Sequence, residues 1–215
     1  MKYLSFKKFI FFLFLNILIG HNLYSQDEYN KWVVGIGINA VDYFPIDNTK
    51  HNVNTGNPDG FFNEITNAQD HWNIGGPKIN VTRYLKKKFS FDAGLSLNKI
   101  TKLGEIMIDD ITYIAIDGNI QYNIFNNQRV INPFVFAGGG YTFADRSGGT
   151  FNSGIGANLW FSPKFGLNAQ WAYKYNSPDF ALLPHFYYSL SVVMKLGMTG
   201  RGGKRFMWRD GASCF

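Results

Sequence analysis

Residues 89–97 read FSFDAGLSL. Phe89, Phe91, Ala93, Leu95 and Leu97 fall on one side of an extended chain, and Ser90, Asp92, Gly94 and Ser96 on the other. A strict period of two marks a strand with one apolar and one polar face. The alternation returns on both sides of this stretch. In 31–40, Trp32, Val34, Ile36 and Ile38 oppose Gly35, Gly37 and Asn39. In about 76–85, Ile79 and Val81 oppose Lys78, Asn80 and Thr82. The longest run, 111–124, sets Ile114, Ile116, Ile120, Tyr122 and Ile124 against Tyr113, Asp117, Asn119, Gln121 and Asn123.

Three further segments carry the same signal. Phe151, Ile155, Ala157, Leu159 and Phe161 alternate with Asn152, Gly154, Gly156 and Asn158. Phe165, Leu167, Ala169, Trp171, Tyr173 and Tyr175 oppose Gly166, Asn168, Gln170 and Lys174. Phe186, Tyr188, Leu190, Val192, Met194 and Leu196 oppose His185, Tyr187, Ser189, Ser191 and Lys195. An eighth strand is expected over 133–143, where Gly138, Gly139 and Gly140 blur the faces and leave its orientation open.

The spacing between strands sets the architecture. Tight turns are expected at Lys86-Lys87-Lys88, Asn126-Asn127-Gln128 and Ser162-Pro163-Lys164, and longer polar connections at about 42–72, 99–110 and 177–184. Short turns alternating with longer loops, on strands of roughly 9–13 residues, fit a barrel that crosses lipid. The fold class predicted is all-β, an eight-stranded antiparallel up-and-down transmembrane β-barrel. Trp32, Tyr84, Phe89, Tyr122, Phe161, Phe165, Tyr173, Tyr175 and Phe186 suit its interfacial girdles.

A soluble barrel would turn the apolar face inward. Eight strands enclose too narrow a lumen for so many bulky side chains. The opposite face is rich in glycine and carries Lys78, Asp92, Asp117, Lys174, His185 and Lys195, opposite charges suited to pairing in a solvated interior. These six are expected to form a polar network that plugs the lumen, because an isolated charge there is costly to desolvate. The alternative is a narrow ion or water path past Asp92, Asp117 and Lys174.

The chain ends divide from the barrel. Lys2, Lys7 and Lys8, an apolar run over 9–19 and Ser25 before Gln26 read as a signal peptide over 1–25. The barrel is assigned to 26–197, with a long first external loop at about 42–72. A basic, aromatic periplasmic tail occupies 198–215. Of the 21 lysines and arginines, three lie in the leader and four in the tail, which leaves fourteen against fourteen carboxylates in 26–196. The net charge of +6 therefore gives no support for a nucleic-acid partner. In the tail, Arg201, Lys204, Arg205, Phe206, Trp208, Arg209 and Phe215 form a candidate surface for a protein partner or the periplasmic leaflet. The single cysteine, Cys214, makes no internal disulfide.

Other chemistry is set aside on local context. Gly35-Ile36-Gly37-Ile38-Asn39-Ala40 matches a dinucleotide fingerprint by letter, but its glycines lie inside a strand with no helix opening after them. His51, His71 and His185 have no metal-ligand spacing, and Asp47, Asp59, Glu64 and Asp70 do not follow an EF-hand pattern. No nucleophile elbow or acid–base pair stands out. No catalytic residue, metal or cofactor is expected.

KWVVGIGINAVDYFP (31–45), NAQDHWNIGGPKINVTRYL (67–85), INPFVFAGGGYTF (131–143) and SPDFALLPHFYYSLSVVMKLG (177–197) resemble the porin-family, OmpA-like eight-stranded outer-membrane barrels. The resemblance implies a bacterial outer-membrane address with lipid as the surrounding partner. It implies no catalytic residues. Where that family continues into a peptidoglycan-binding domain, this chain carries GRGGKRFMWRDGASCF, so peptidoglycan anchoring is not carried over. The function expected is a structural or accessory subunit of an outer-membrane complex. Alternatives are a narrow channel for small solutes and surface adhesion through the first loop.

Overall fold

A computed structural model describes residues 31–43, 71–103, 106–125, 130–144, 147–176 and 184–196. Eight strands account for nearly all of them: β1 (Trp32–Asp42), β2 (Asn73–Lys86), β3 (Phe89–Leu103), β4 (Ile106–Asn123), β5 (Ile131–Phe143), β6 (Gly148–Trp160), β7 (Phe165–Tyr175) and β8 (His185–Leu196). Each pairs antiparallel with its sequence neighbours, and β1 closes on β8 from Trp32↔Leu196 to Asp42↔Phe186. The sheet has no free edge. Outside the register shifts at Gly37/Asn39, Tyr84/Lys86 and Ile100/Lys102, the backbone groups of neighbouring strands pair within the wall, the condition for crossing lipid with strands.

The expected inversion of faces is present. Ile36 is 61% exposed and Ile155 53%, whereas Asn80 and Lys174 are each 1% exposed. The outward row runs round the wall through Ile79, Leu95, Ile116, Val135, Trp171, Leu190 and Val192. Soluble monomers rarely show contiguous apolar patches beyond a few hundred Å². A belt that circles the molecule is the lipid-facing surface of a transmembrane barrel.

Three expectations are corrected, and the orientation of β5, left open by the sequence, is resolved. The connection at 99–110 is mostly a continued hairpin, with Lys99↔Thr112, Ile100↔Ile111 and Lys102↔Met107 paired across a register shift. Its polar composition reads as loop, but the side chain of Asn73 accepts from the amides of Thr101 and Lys102 and holds the extension in place. Strand β2 begins at Asn73, not near 76, for the same reason. Strand β5 turns Phe134 and Phe136 inward, with Gly138 and Gly140 on the same face. Tyr84 is buried in the lumen and not in the girdle, because it alternates with the luminal Thr82 on β2.

The lumen is therefore not uniformly polar. A larger apolar cluster joins Val41, Tyr43, Ile100, Tyr113, Ala115, Phe134, Phe136, Ala172 and Tyr187, and a smaller one joins Val33, Trp160 and Val193. Glycines make room for the rings. Phe134 lies opposite Gly156 and Phe136 opposite Gly154 on β6, and a Cβ at either glycine would run into the facing phenyl.

Candidate functional site

The lumen gathers the charged residues that the strand pattern selects. Asp117 on β4 and Lys174 on β7 face each other across the interior. Lys174 Nζ donates to Asp117 Oδ1 at 2.8 Å and Oδ2 at 2.7 Å. Asn152 Nδ2 adds a third donor to Oδ1 at 2.8 Å. Inward-facing Gly140, paired with Asp117, leaves the space that the carboxylate fills. The cation also sits 4.8 Å from the Tyr187 ring centroid.

Lys78 on β2 reaches across to the far wall. Its Nζ donates to Gln170 Oε1 at 2.8 Å and to Ser189 Oγ at 2.7 Å, with the Tyr187 ring 5.5 Å away. Tyr187 thus lies between two lysines, and its hydroxyl pairs with Ser96 Oγ at 2.6 Å. His185 Nε2 lies 3.0 Å from the Tyr113 hydroxyl, and its ring packs 4.9 Å from Tyr43. Lys174, Lys78 and His185 therefore share one aromatic and polar cluster toward the long-loop half of the barrel.

The other two predicted residues take further partners. Asp92 Oδ1 accepts from Thr82 Oγ1 at 2.6 Å and from Asn80 Nδ2 at 3.0 Å, a local bridge between β2 and β3. Lys195 lies near the turn end, its Nζ 3.9 Å from the Trp160 ring centroid beside Val33 and Val193. At the opposite end Asn39, Asn73 and Asn98 interlock through Asn98 Nδ2, which donates to Asn39 Oδ1 and to the Asn73 carbonyl, both at 2.8 Å.

Singling out charges missed Tyr113, Tyr187, Gln170, Ser189 and Asn152, which supply most of the partners. The signal was available, since Tyr113, Gln170, Tyr187 and Ser189 alternate in register with a luminal charge on their own strands, and Asn152 lies on the polar face of the uncharged β6. The tail residues Arg201, Lys204, Arg205, Phe206, Trp208, Arg209 and Phe215 lie outside the described residues, as do the leader and most of the first loop. Among the described residues no group of His, Cys, Asp and Glu is placed to hold a metal.

The outer membrane protein OprG from Pseudomonas aeruginosa superposes with a TM-score of 0.53 at 10% identity, over 81% of this chain and 100% of OprG. The chain folds as an eight-stranded outer-membrane β-barrel. Two other barrels are similar in outline. The N-terminal β-barrel domain of Pseudomonas aeruginosa OprF matches with a TM-score of 0.48 at 11% identity, over 78% of this chain and 98% of that domain. Ail, the attachment invasion locus protein of Yersinia pestis, matches with a TM-score of 0.46 at 12% identity, over 78% and 99%. No protein-family model and no curated protein matches the sequence. The barrel's outer belt meets lipid, and its interior is the only surface where buried charges from opposite walls converge among the described residues.

Proposed function

We propose that the barrel is a non-enzymatic structural or accessory subunit of an outer-membrane complex, with its loops and C-terminal segment as contact surfaces. The observation that carries this reading is the Asp117–Lys174 pair inside the lumen. A bidentate ion pair with a third donor from Asn152, flanked by Tyr113 and Tyr187, spans an interior that eight strands make barely wide enough for side chains. Lys78 ties a second crossing to Gln170 and Ser189. Such a lumen acts as a strut between opposite walls, and the contacts that matter to the cell then lie outside it.

A narrow channel would need the Asp117–Lys174 crossing to open. Conductance in planar bilayers separates the two readings. The purified protein is expected to give no steady single-channel steps, and steady steps would overturn the closed-lumen reading. Gentle-detergent co-purification with and without residues 198–215 tests the accessory role. A fixed set of companions lost on truncation is the expected result, and an unchanged set would retire the tail as a contact surface.

A further inference from the structure

The charge of the described barrel is polarised along its axis. Arg83, Lys86, Lys87, Lys88, Lys31 and Lys164 all sit at the short-turn end. The acidic residues among the described residues lie elsewhere: Asp92 and Asp117 point into the lumen, and Asp42, Asp109 and Asp110 belong to the long-loop end. At that far end Lys99 is neutralised by an ion pair with Asp110. At the β2–β3 turn Arg83, Lys86, Lys87 and Lys88 therefore stand with no carboxylate on the outer wall beside them among the described residues.

Four of these cations, Arg83, Lys86, Lys87 and Lys88, belong to the β2–β3 hairpin end. Arg83 belongs to the outward row of β2 with Ile79, Val81 and Leu85, so its guanidinium starts on the lipid-facing surface. It lies between Trp32 on β1 and Phe91 on β3 in the register, with its Cζ 5.1 Å from the Trp32 ring centroid. Lys88 Nζ lies 5.9 Å from the Tyr122 ring centroid and donates to the Ile124 carbonyl at 3.0 Å, beside the Phe89–Tyr122 ring pair. Lys86 and Lys87 complete the hairpin end. Cations beside girdle aromatics lie at the depth where a bilayer keeps its phosphates.

The turn itself points the same way. Lys87 and Lys88 are its two central residues, and both have positive φ, 46° and 75°. A two-residue hairpin turn of this kind favours Asn-Gly, because a Cβ is strained there. Lysine at both positions gives up local backbone comfort and keeps two cations at the hairpin end, that of Lys88 reaching Ile124 and Tyr122 on the β4 side.

We propose that the outer wall at the β2–β3 turn, formed by Trp32, Arg83, Lys86, Lys87, Lys88 and Tyr122, binds the headgroup of an anionic phospholipid in the leaflet on the short-turn side. The acyl chains lie along the apolar rows of β1 to β4, and the phosphate meets Arg83 and the lysines. The proposal rests on the lipid-embedded barrel but on no role for the loops or tail.

The test uses the full chain in phosphatidylcholine vesicles with spin-labelled phosphatidylglycerol or phosphatidylcholine, reading the motionally restricted fraction. The expected result is a preference for phosphatidylglycerol of at least about threefold, as cations near a membrane surface produce, that collapses in about 1 M salt. The variant R83Q/K86Q/K87N/K88G is expected to lose the preference while keeping a heat-modifiable folded band, since Asn-Gly suits the turn. Equal association of both lipids with the unaltered protein would overturn the proposal. So would a preference that survives in that variant, or one abolished by R201Q/K204Q/R205Q/R209Q with the rim intact. A chain with no restricted lipid of either kind would sink the membrane reading itself, a distinguishable failure.

Discussion

Asp117 and Lys174 show how a single contact decides between strut and liability. Their side chains are 9% and 1% exposed, so each charge depends on the other. Removing one member of a buried pair leaves an uncompensated charge and costs about 3–5 kcal/mol, whereas an apolar pair of similar volume is often neutral. Lys174→Met alone is therefore expected to destabilise the folded barrel by that amount, and Asp117→Leu with Lys174→Met to recover most of it. Urea unfolding in vesicles measures both, and equal losses in the single and double variants would contradict the pair's role. Gly140→Ala tests the same contact from the neighbouring strand. Its Cβ would run into both Asp117 Oδ1 and the Ile116 backbone carbonyl, so the carboxylate and the β4 backbone must both shift and the lysine's grip must loosen. The variant is expected to fall between the unaltered protein and Lys174→Met in stability, even though it changes no charge.

At the scale of strands and turns, the alternation of faces was legible because a barrel wall has only an inside and an outside. Every residue of FSFDAGLSL up to Ser96 reads its own environment: Ser90, Asp92 and Ser96 are buried in the lumen, and Phe89, Phe91 and Leu95 face out. The reading failed where an element depends on a contact distant in sequence. The β3–β4 extension rests on Asn73, some 28 residues away from Thr101, and nothing in 99–110 announces that support. The inward Phe134 and Phe136 depend likewise on Gly156 and Gly154 of the next strand. Strand β5 could be oriented only by seeing that pairing. The β2–β3 turn offers an element-scale prediction. Replacing Lys87-Lys88 by Asn-Gly relieves two left-handed positions, each costing an L side chain about 1–2 kcal/mol. The variant K87N/K88G is expected to raise the unfolding midpoint in detergent, and a lowered midpoint would show that the lysines' contacts outweigh their backbone strain.

For the whole molecule the decisive quantity is the sign of the environment on each side of the wall, which one residue step exchanges. Ile155 and Asn152 lie three residues apart on β6, yet one is 53% exposed on the outer belt and the other 1% exposed in the lumen. A lysine on the lipid face near the middle of a barrel costs about 2–4 kcal/mol in a bilayer, and less toward the interfaces. Ile155→Lys is thus expected to lose about that much stability when folded into phosphatidylcholine vesicles. In a fold with the faces exchanged, Ile155 would be core and Asn152 surface. Asn152→Lys would then be harmless and Ile155→Lys would prevent folding even without lipid. In the observed barrel Asn152 donates to Asp117 within an already charged cluster, so a lysine there crowds Lys174 and loosens the ion pair. Asn152→Lys is therefore expected to disturb folding in detergent and bilayer alike, whereas the Ile155→Lys penalty grows with the thickness of the hydrocarbon. Measuring both variants across lipids of increasing chain length reads the inside-out assignment directly. A penalty at Ile155 that ignores chain length would count against a wall that stands in lipid.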